Sequence, residues 1–509
     1  MFVAAENGAL PGGKVGGVGD VVRDLPVALA ALGWHVTVVT PGYGYLGQNS
    51  GATAAGTLDV RFRGESLAIQ VLDVPGSTDG VRHRLIEHPA LAPLGPGFIY
   101  CNDPPEQPFA TDANKFALFA AAAARLAAGT RPLPDVVHLH DWHAALYALL
   151  RRYDPGLREL ASVTTVFTIH NLAYQGIRPL EGDPSSLAAW FPQLDYDYDT
   201  VVDPRYTDCI NPVAAAIRLV ERISTVSPTY ATEIRQPDDP QRGFHGGEGL
   251  EHDLQAAASA NRLTGILNGT VYPRVRARRP GWRRFVAALT DCIDDWQQAG
   301  AGTESHATAR QRLDACGRRR PRHVLTSVGR LTAQKVGLFL QPDANGTPAL
   351  EAILKRLGGD GIVILLGSGE EPFAAQLTDI AARHANFVFL CGYSEPCAEL
   401  LYIGGDLFLM PSTFEPCGIS QLLAMRSGQP CIVHAVGGLN DTVANNVSGF
   451  TFGGDGPTAQ ATAFVSAVDR ALALRNEQPE RWQAMVNAAT SQRFDWPNAA
   501  KQYIKQLYV

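Results

Sequence analysis

Arg330 and Lys335 stand five residues apart, just after the apolar run 324–328. A planar guanidinium fork and an ammonium point charge at a strand end suit a diphosphate. Glu415, Cys417 and Gly418 follow the apolar run 407–410, and a Gly437-Gly438 turn follows the run 430–433. An acid and a glycine turn leaving neighbouring strands outline a ligand site. His140-Asp141-Trp142-His143 ends a further strand-like run, 135–139, and His170-Asn171 ends the next, 163–169. One histidine at a strand end is usually structural; two polar clusters at equivalent ends point to a site. Near the amino terminus, Lys14, Gly16, Gly17, Gly19 and Asp20 precede a helical stretch. A lysine in a glycine loop before a helix is well placed to meet phosphate or carboxylate.

Two familiar patterns fail on inspection. Residues 8–15, GALPGGKV, approach the phosphate loop GxxxxGK[ST], but Val15 stands where a hydroxyl must hold magnesium. Residues 42–47, GYGYLG, fit GxGxxG after a strand, but QNSGATAAGT follows and does not read as a helix. The acidic run 195–199, DYDYD, lies in irregular sequence after Pro192 and reads as a solvated loop rather than a metal site.

The elements that position these residues alternate strand, loop and helix. Residues 1–5 form a strand, followed by a helix bearing Val21, Val22, Leu25 and Leu29 and stopped by Gly33, then the strand 35–40. Strands at 135–139, 163–169, 324–328, 362–366, 387–390, 407–410 and 430–433 continue the pattern, with Gly428 closing one helix and a further helix starting near Asp441. This is the grammar of open parallel sheets, whose ligands sit at the carboxyl ends of the strands. The stretch 270–320 is rich in arginine and reads as a connector with one or two helices and a solvated basic surface. The chain divides into a Rossmann-like domain over 1–268, a connector over 269–322, a second Rossmann-like domain over 323–490, and a final helical segment over 491–509, which is expected to pack back on the first domain.

A chain of 509 residues exceeds one core, and 46% hydrophobic with 18% charged residues describes a folded protein. The net charge of −7 argues against nucleic acid as a partner. No apolar run has the roughly 18 residues of a membrane span. The opening MFVAAENG lacks a basic leader, and none of the eight cysteines shows CxxC spacing. A cytoplasmic protein with reduced thiols is expected, or a plastid one if it is a processed plant chain.

Taken together, these segments resemble the bacterial glycogen synthases and plant starch synthases, glycosyltransferases of the family 5 type. The resemblance rests on KVGGVGDV at 14–21, HDWH at 140–143, TIHNLAYQG at 168–176 and TVSPTYATEI at 225–234. It continues through GILNG at 265–269, GRLTAQK at 329–335, EPCG at 415–418 and GGLNDTV at 437–443. It implies the α/β GT-B fold, two Rossmann-like domains facing an interdomain cleft. It also implies transfer of glucose from ADP-glucose to the non-reducing end of an α-1,4-glucan, with retention of configuration and no cofactor or metal. By resemblance, Arg330 and Lys335 hold the diphosphate and stabilise the leaving group. Glu415 meets the donor glucose, and Cys417, Gly418, Gly437 and Gly438 line its pocket. His170 contacts the sugar or steadies oxocarbenium character. Lys14, Gly16, Gly17 and Asp20 meet the sugar nucleotide, while Asp141, Asn268 and Tyr393 complete the sugar and acceptor contacts.

The chain departs from the family's pattern in three places. After Asn268-Gly269 the usual Ile-Asp pair and Trp-x-Pro turn are replaced by TVYPRVRARRPGW. The glycine after the signature lysine is displaced, giving Lys335-Val336-Gly337, and residues 206–217 lack the usual tyrosine- and lysine-bearing pattern. These leave open a transferase using UDP-glucose or a small acceptor, and an inactive glucan-binding homologue.

Overall fold

The computed structural model describes all residues except 77, 274–277, 301, 317–318 and 509. The chain forms two compact units. The first comprises 1–238, 246–269 and 495–509, and the second 239–245 and 270–494.

The first unit is built on a nine-stranded sheet. Its strands are β1 (Phe2–Val3), β2 (Val36–Pro41), β3 (Thr53–Phe62), β4 (Glu65–Asp73), β5 (Val81–Glu87), β6 (Val136–His140) and β7 (Thr164–Ile169). Past a two-stranded ribbon, β8 (Arg178–Pro179) with β9 (Cys209–Ile210), the sheet ends in β10 (Arg222–Thr225) and β11 (Leu263–Gly265). The order is β11-β10-β7-β6-β1-β2-β5-β4-β3. Strand order reverses at β1 and β6, which pair in parallel, and in such sheets the crevice outside that reversal is where ligands bind. β3 and β4 form an antiparallel hairpin turned by Arg63 and Gly64, both at positive φ (56° and 79°). Two left-handed residues make the turn that matches strand twist.

The helix Gly17–Ala30 packs Val21, Val22, Leu25 and Leu29 against Phe2, Ala4 and Val38. Trp496, Ala499, Ala500, Tyr503 and Leu507, from the helix Trp496–Tyr503 and the turn beyond it, join that cluster. Gly269 allows this approach, since a Cβ there would lie 2.6 Å from the Trp496 backbone nitrogen.

The second unit holds a six-stranded, wholly parallel sheet of β12 (His323–Val328), β13 (Gly361–Gly367), β14 (Phe387–Cys391), β15 (Leu407–Met410), β16 (Cys431–His434) and β17 (Gly449–Phe452). Its order, β14-β13-β12-β15-β16-β17, is that of a dinucleotide-binding sheet, with the reversal between β12 and β15. Both faces are covered, so the strands read as continuous apolar runs. Ile362, Ile364 and Leu366 face one core, Val363 and Leu365 the other. The arginine-rich stretch carries two helices, Trp282–Gln298 and Glu304–Ala315, whose Phe285, Leu289, Ile293 and Leu313 pack into the core that Ile362, Ile364 and Leu366 face. Its residues 274–277 and 317–318 lie outside the described part.

The solvated reading of this basic stretch is corrected for Arg279 and Arg320. Both turn onto buried Asp406, as does Arg475. A further correction concerns the last site helix. It runs Gly437–Thr442, so the glycine pair opens the helix instead of preceding it. Among the described residues, no helix is long and apolar enough to cross a membrane.

Candidate active site

The residues singled out by sequence fall into two sets, one in each unit.

In the second unit, the loop after β12 carries Arg330, which is exposed and makes no ion pair among the described residues. Lys335 lies in the first turn of the helix Ala333–Leu340. Its ammonium pairs with the carboxylate of Glu415, which sits in the loop after β15; the side chains are 18% and 8% exposed. A cation and an acid thus meet across the strand reversal. The loop bearing the acid is held from two sides. Gln334 donates to the Phe414 carbonyl at 2.6 Å, and the Thr413 amide donates to the Gln334 carbonyl at 2.9 Å. On the other side Gly438 donates its amide to the Glu415 carbonyl at 3.1 Å. A Cβ at Gly437 would collide with that carbonyl, and one at Gly438 would lie 2.5 Å from the Cys417 Cα. The glycine pair therefore serves close packing, letting one helix start directly against the acid's loop. Gly418, at φ 77°, supplies the turn into the helix Ser420–Arg426. Tyr393, in the loop after β14, is 61% exposed.

In the first unit, three loops at the carboxyl ends of β1, β6 and β7 supply the candidates. Lys14 pairs with Asp20 at 2.7 Å, its own side chain 44% exposed. The amides of Val15 and Gly16 donate to buried Glu6 Oε2 at 2.8 and 2.7 Å. Glu6 also accepts from the Tyr100 hydroxyl at 2.8 Å. Sequence reading passed over Glu6. Its only signal was an acid inside a glycine-rich loop between strand and helix. A Cβ at Gly19 would lie 2.9 Å from Lys14 Cγ and 3.1 Å from Glu6 Oε2.

Asp141 follows β6 with φ 55° and ψ −177°, a strained geometry for a non-glycine residue. The strain is held by hydrogen bonds. Asp141 Oδ1 accepts the His170 amide at 2.7 Å, and the Asn171 amide also donates to the carboxylate. Burial pushes this carboxyl up to about 7 despite those bonds, with Glu6 adding to the rise. Burial drives His170 down to about 3, so its ring is neutral at ordinary pH. His143, packed against Phe116 and Trp142, is driven to about 3 by burial, Lys115 and His170. Asn268 is buried, and its side-chain oxygen has no partner among the described residues. In the segment 206–217, Asn211 caps the helix Pro212–Leu219 and donates to Gln175 and Asp203 at 2.6 and 2.7 Å. The acidic run 195–199 is used locally: Asp197 caps the short helix Tyr198–Val201.

The raised Asp141 carboxyl makes stability depend on pH. The unfolded group loses its proton near 4, the folded one near 7. Below about pH 4 both states are protonated and nothing is lost; as pH rises to about 7 the folded state resists ionisation and stability falls. Asp141→Asn removes that slope. Denaturant unfolding at pH 5 and pH 8 should show the variant gaining on the parent by a few kcal/mol at the higher pH. An equal difference at both values would mean the carboxyl does not titrate in that window.

Comparison with known proteins agrees with this architecture. Residues 1–256 match the starch synthase catalytic domain family, and residues 322–473 match glycosyl transferases group 1. A glycogen synthase of Thioalkalivibrio sulfidiphilus is 34% identical over 96% of this chain and 95% of its own. One from Burkholderia thailandensis is 33% identical over 99% of this chain and 89% of its own. Among solved structures, the catalytic domain of starch synthase IV from Arabidopsis thaliana, bound to ADP and acarbose, superposes with a TM-score of 0.75. It is 27% identical and covers 100% of this chain and 98% of that one. With two Rossmann-like sheets and full-length relatives at this identity, the chain belongs to the glycogen and starch synthase family of GT-B glucosyltransferases.

Proposed function

We propose that the protein transfers glucose from ADP-glucose to the non-reducing end of an α-1,4-glucan, with retention of configuration. The observation that carries this is the Lys335–Glu415 pair at the strand reversal of the second sheet. It supplies one cation for the diphosphate and one acid for the hydroxyls of the donor glucose. Arg330, exposed in the loop after β12, adds a planar fork for the second phosphate. These charges act where negative charge grows on the leaving group, commonly the largest contribution to such a transfer. Cys417, Gly418, Gly437 and Gly438 line the sugar's pocket. Lys14, Gly16, Gly17 and Asp20 belong to the same reading as sugar-nucleotide contacts. Asp141, Asn268 and Tyr393 belong to it as sugar and acceptor contacts. The relative solved with ADP and acarbose supports an adenine nucleotide and a glucan-like acceptor.

A neutral His170 suits a sugar carrying oxocarbenium character, because an imidazolium would repel it. No carboxylate is assigned as a nucleophile below the ring, so attack on the same face is favoured, with the donor phosphate oxygen taking the acceptor's 4-hydroxyl proton. Trapping a covalent glucosyl-enzyme would overturn that route. The test of the whole reading is a donor comparison. Purified protein receives radiolabelled ADP-glucose or UDP-glucose with glycogen, maltooligosaccharide or no primer. Label should enter glycogen from ADP-glucose. Incorporation from UDP-glucose alone would reassign the donor, and none from either would end the proposal.

A further inference from the structure

His140 closes β6, and His170 stands one residue beyond β7; the two strands pair in parallel with His140 opposite Thr168. His140 Nδ1 and His170 Nε2 lie 2.9 Å apart in the interior. Between two neutral imidazoles one nitrogen must donate and the other accept. Burial keeps both rings neutral, His170 at about 3 and His140 well below the usual histidine range, with His138 and His170 adding to the latter. If His170 donated, the proton of His140 would sit on its Nε2. That atom is buried and has no partner among the described residues. An orphaned N–H is rarer and costlier in folded proteins than an orphaned lone pair. His140 therefore carries its proton on Nδ1 and donates it to His170 Nε2. His170 in turn carries its own proton on Nδ1. Among the described residues its ring has no other hydrogen-bond partner, so that N–H remains available to an oxygen of a ligand.

From this we propose that His140 is a positioning residue: its Nδ1–H fixes His170 in the Nδ1-protonated form that presents a donor to the sugar. The proposal rests on the reading of His170 as a sugar contact. The ring of His140 is not free to turn. It stacks on Phe2 with centroids 5.1 Å apart and on His138 at 4.3 Å. His138 is itself fixed at both nitrogens, by Thr168 Oγ1 at 2.6 Å and by the Tyr508 hydroxyl at 2.8 Å. Thr168 Oγ1 meets Ser224 Oγ at 2.6 Å, which extends the chain to a third strand. Tyr508 and Ser224 thus brace the histidine on which His140 stacks.

The test starts with the intact protein labelled with 15N-histidine. His170 is assigned by its loss in His170→Gln. NMR at neutral pH should show His170 with a protonated Nδ1 and an acceptor Nε2; a proton on Nε2 in the parent protein overturns the proposal. Two substitutions then separate positioning from packing. His140→Leu should lower kcat by about ten- to a hundredfold, with the KM for the donor little changed. His140→Asn, whose amide can donate from the Nδ1 position, should recover most of that loss. Parental kcat in His140→Leu, or equal losses in both variants, would overturn the proposal. The underlying reading fails separately: parental turnover in His170→Ala would remove the sugar contact, while the NMR result would still decide the tautomer.

Discussion

Lys335→Ala is expected to lower kcat about a hundred- to a thousandfold, the usual cost of removing one preorganised charge from a developing anion. The ammonium is held near the strand reversal by its helix and by Glu415. The two side chains are largely withdrawn from water, which strengthens their interaction relative to a surface pair. Replacing a lysine read from sequence as a diphosphate contact is expected to lower turnover much more than stability. The pairing with Glu415 adds a stability cost to that expectation. Alanine leaves a buried carboxylate without its cation, which should cost about 1–3 kcal/mol as well. Lys335→Gln, able to keep a hydrogen bond to Glu415, should hold stability better yet remain almost as slow. Saturating-donor kinetics and thermal unfolding on the same samples separate the two effects. A kcat for Lys335→Ala close to the parent's would remove the charge-stabilising role.

The residues that reveal the site in sequence are those whose chemistry is local. Arg330, Lys335, Glu415 and the histidine clusters stand directly after apolar runs, so strand ends could be counted without knowing how the strands pair. The parallel sheets follow from the same pattern. The antiparallel hairpin β3–β4 escaped because its turn is Arg63-Gly64, not one of the Asn-Gly or Asp-Gly pairs that announce such turns. Glu6 escaped because its partners, the Val15 and Gly16 amides and the Tyr100 hydroxyl, are 9 to 94 residues away. Its task is to hold a loop, which leaves no motif of its own. His140 sat inside a recognised cluster, but its bond to His170 depends on two strands lying side by side. The glycines 437 and 438 were legible as a turn, whereas their reason, the carbonyls of the acid's loop pressed against them, is a packing fact. The arginines were misread for the converse cause. A run of basic residues looks like a solvated face until a distant buried acid is found to collect them.

That acid carries the largest stability effect expected in the chain. Asp406 immediately precedes β15 and is 6% exposed. Arg279 and Arg320 each reach its Oδ1 at 2.8 Å, and Arg475 reaches Oδ2 at 3.0 Å. The carboxylate also ties strands together: Oδ2 accepts the Val324 amide at 3.0 Å, and the Asp406 amide donates to the Val324 carbonyl at 2.7 Å. Burial alone would raise its pKa, but the hydrogen bond from Arg320 and the charges of Arg475, Arg320 and Arg279 outweigh it, and the net direction is down. A depressed carboxylate adds stability above its unfolded pKa of about 4 and loses it as pH falls through the folded value. Asp406→Ala strips three guanidinium groups of their shared partner and should cost about 3–5 kcal/mol at pH 7. For a unit of this size that is a fall in Tm of roughly 6–20 °C. Asp406→Asn should lose less, since an amide can still accept, and its penalty should shrink below about pH 4. The clamp sits at the amino ends of β12 and β15, the strands whose other ends lead to Lys335 and Glu415. Loosening it should therefore slow turnover even at temperatures where the variant stays folded. A Tm for Asp406→Ala within 2 °C of the parent would mean that the three arginines are held by something other than this carboxylate.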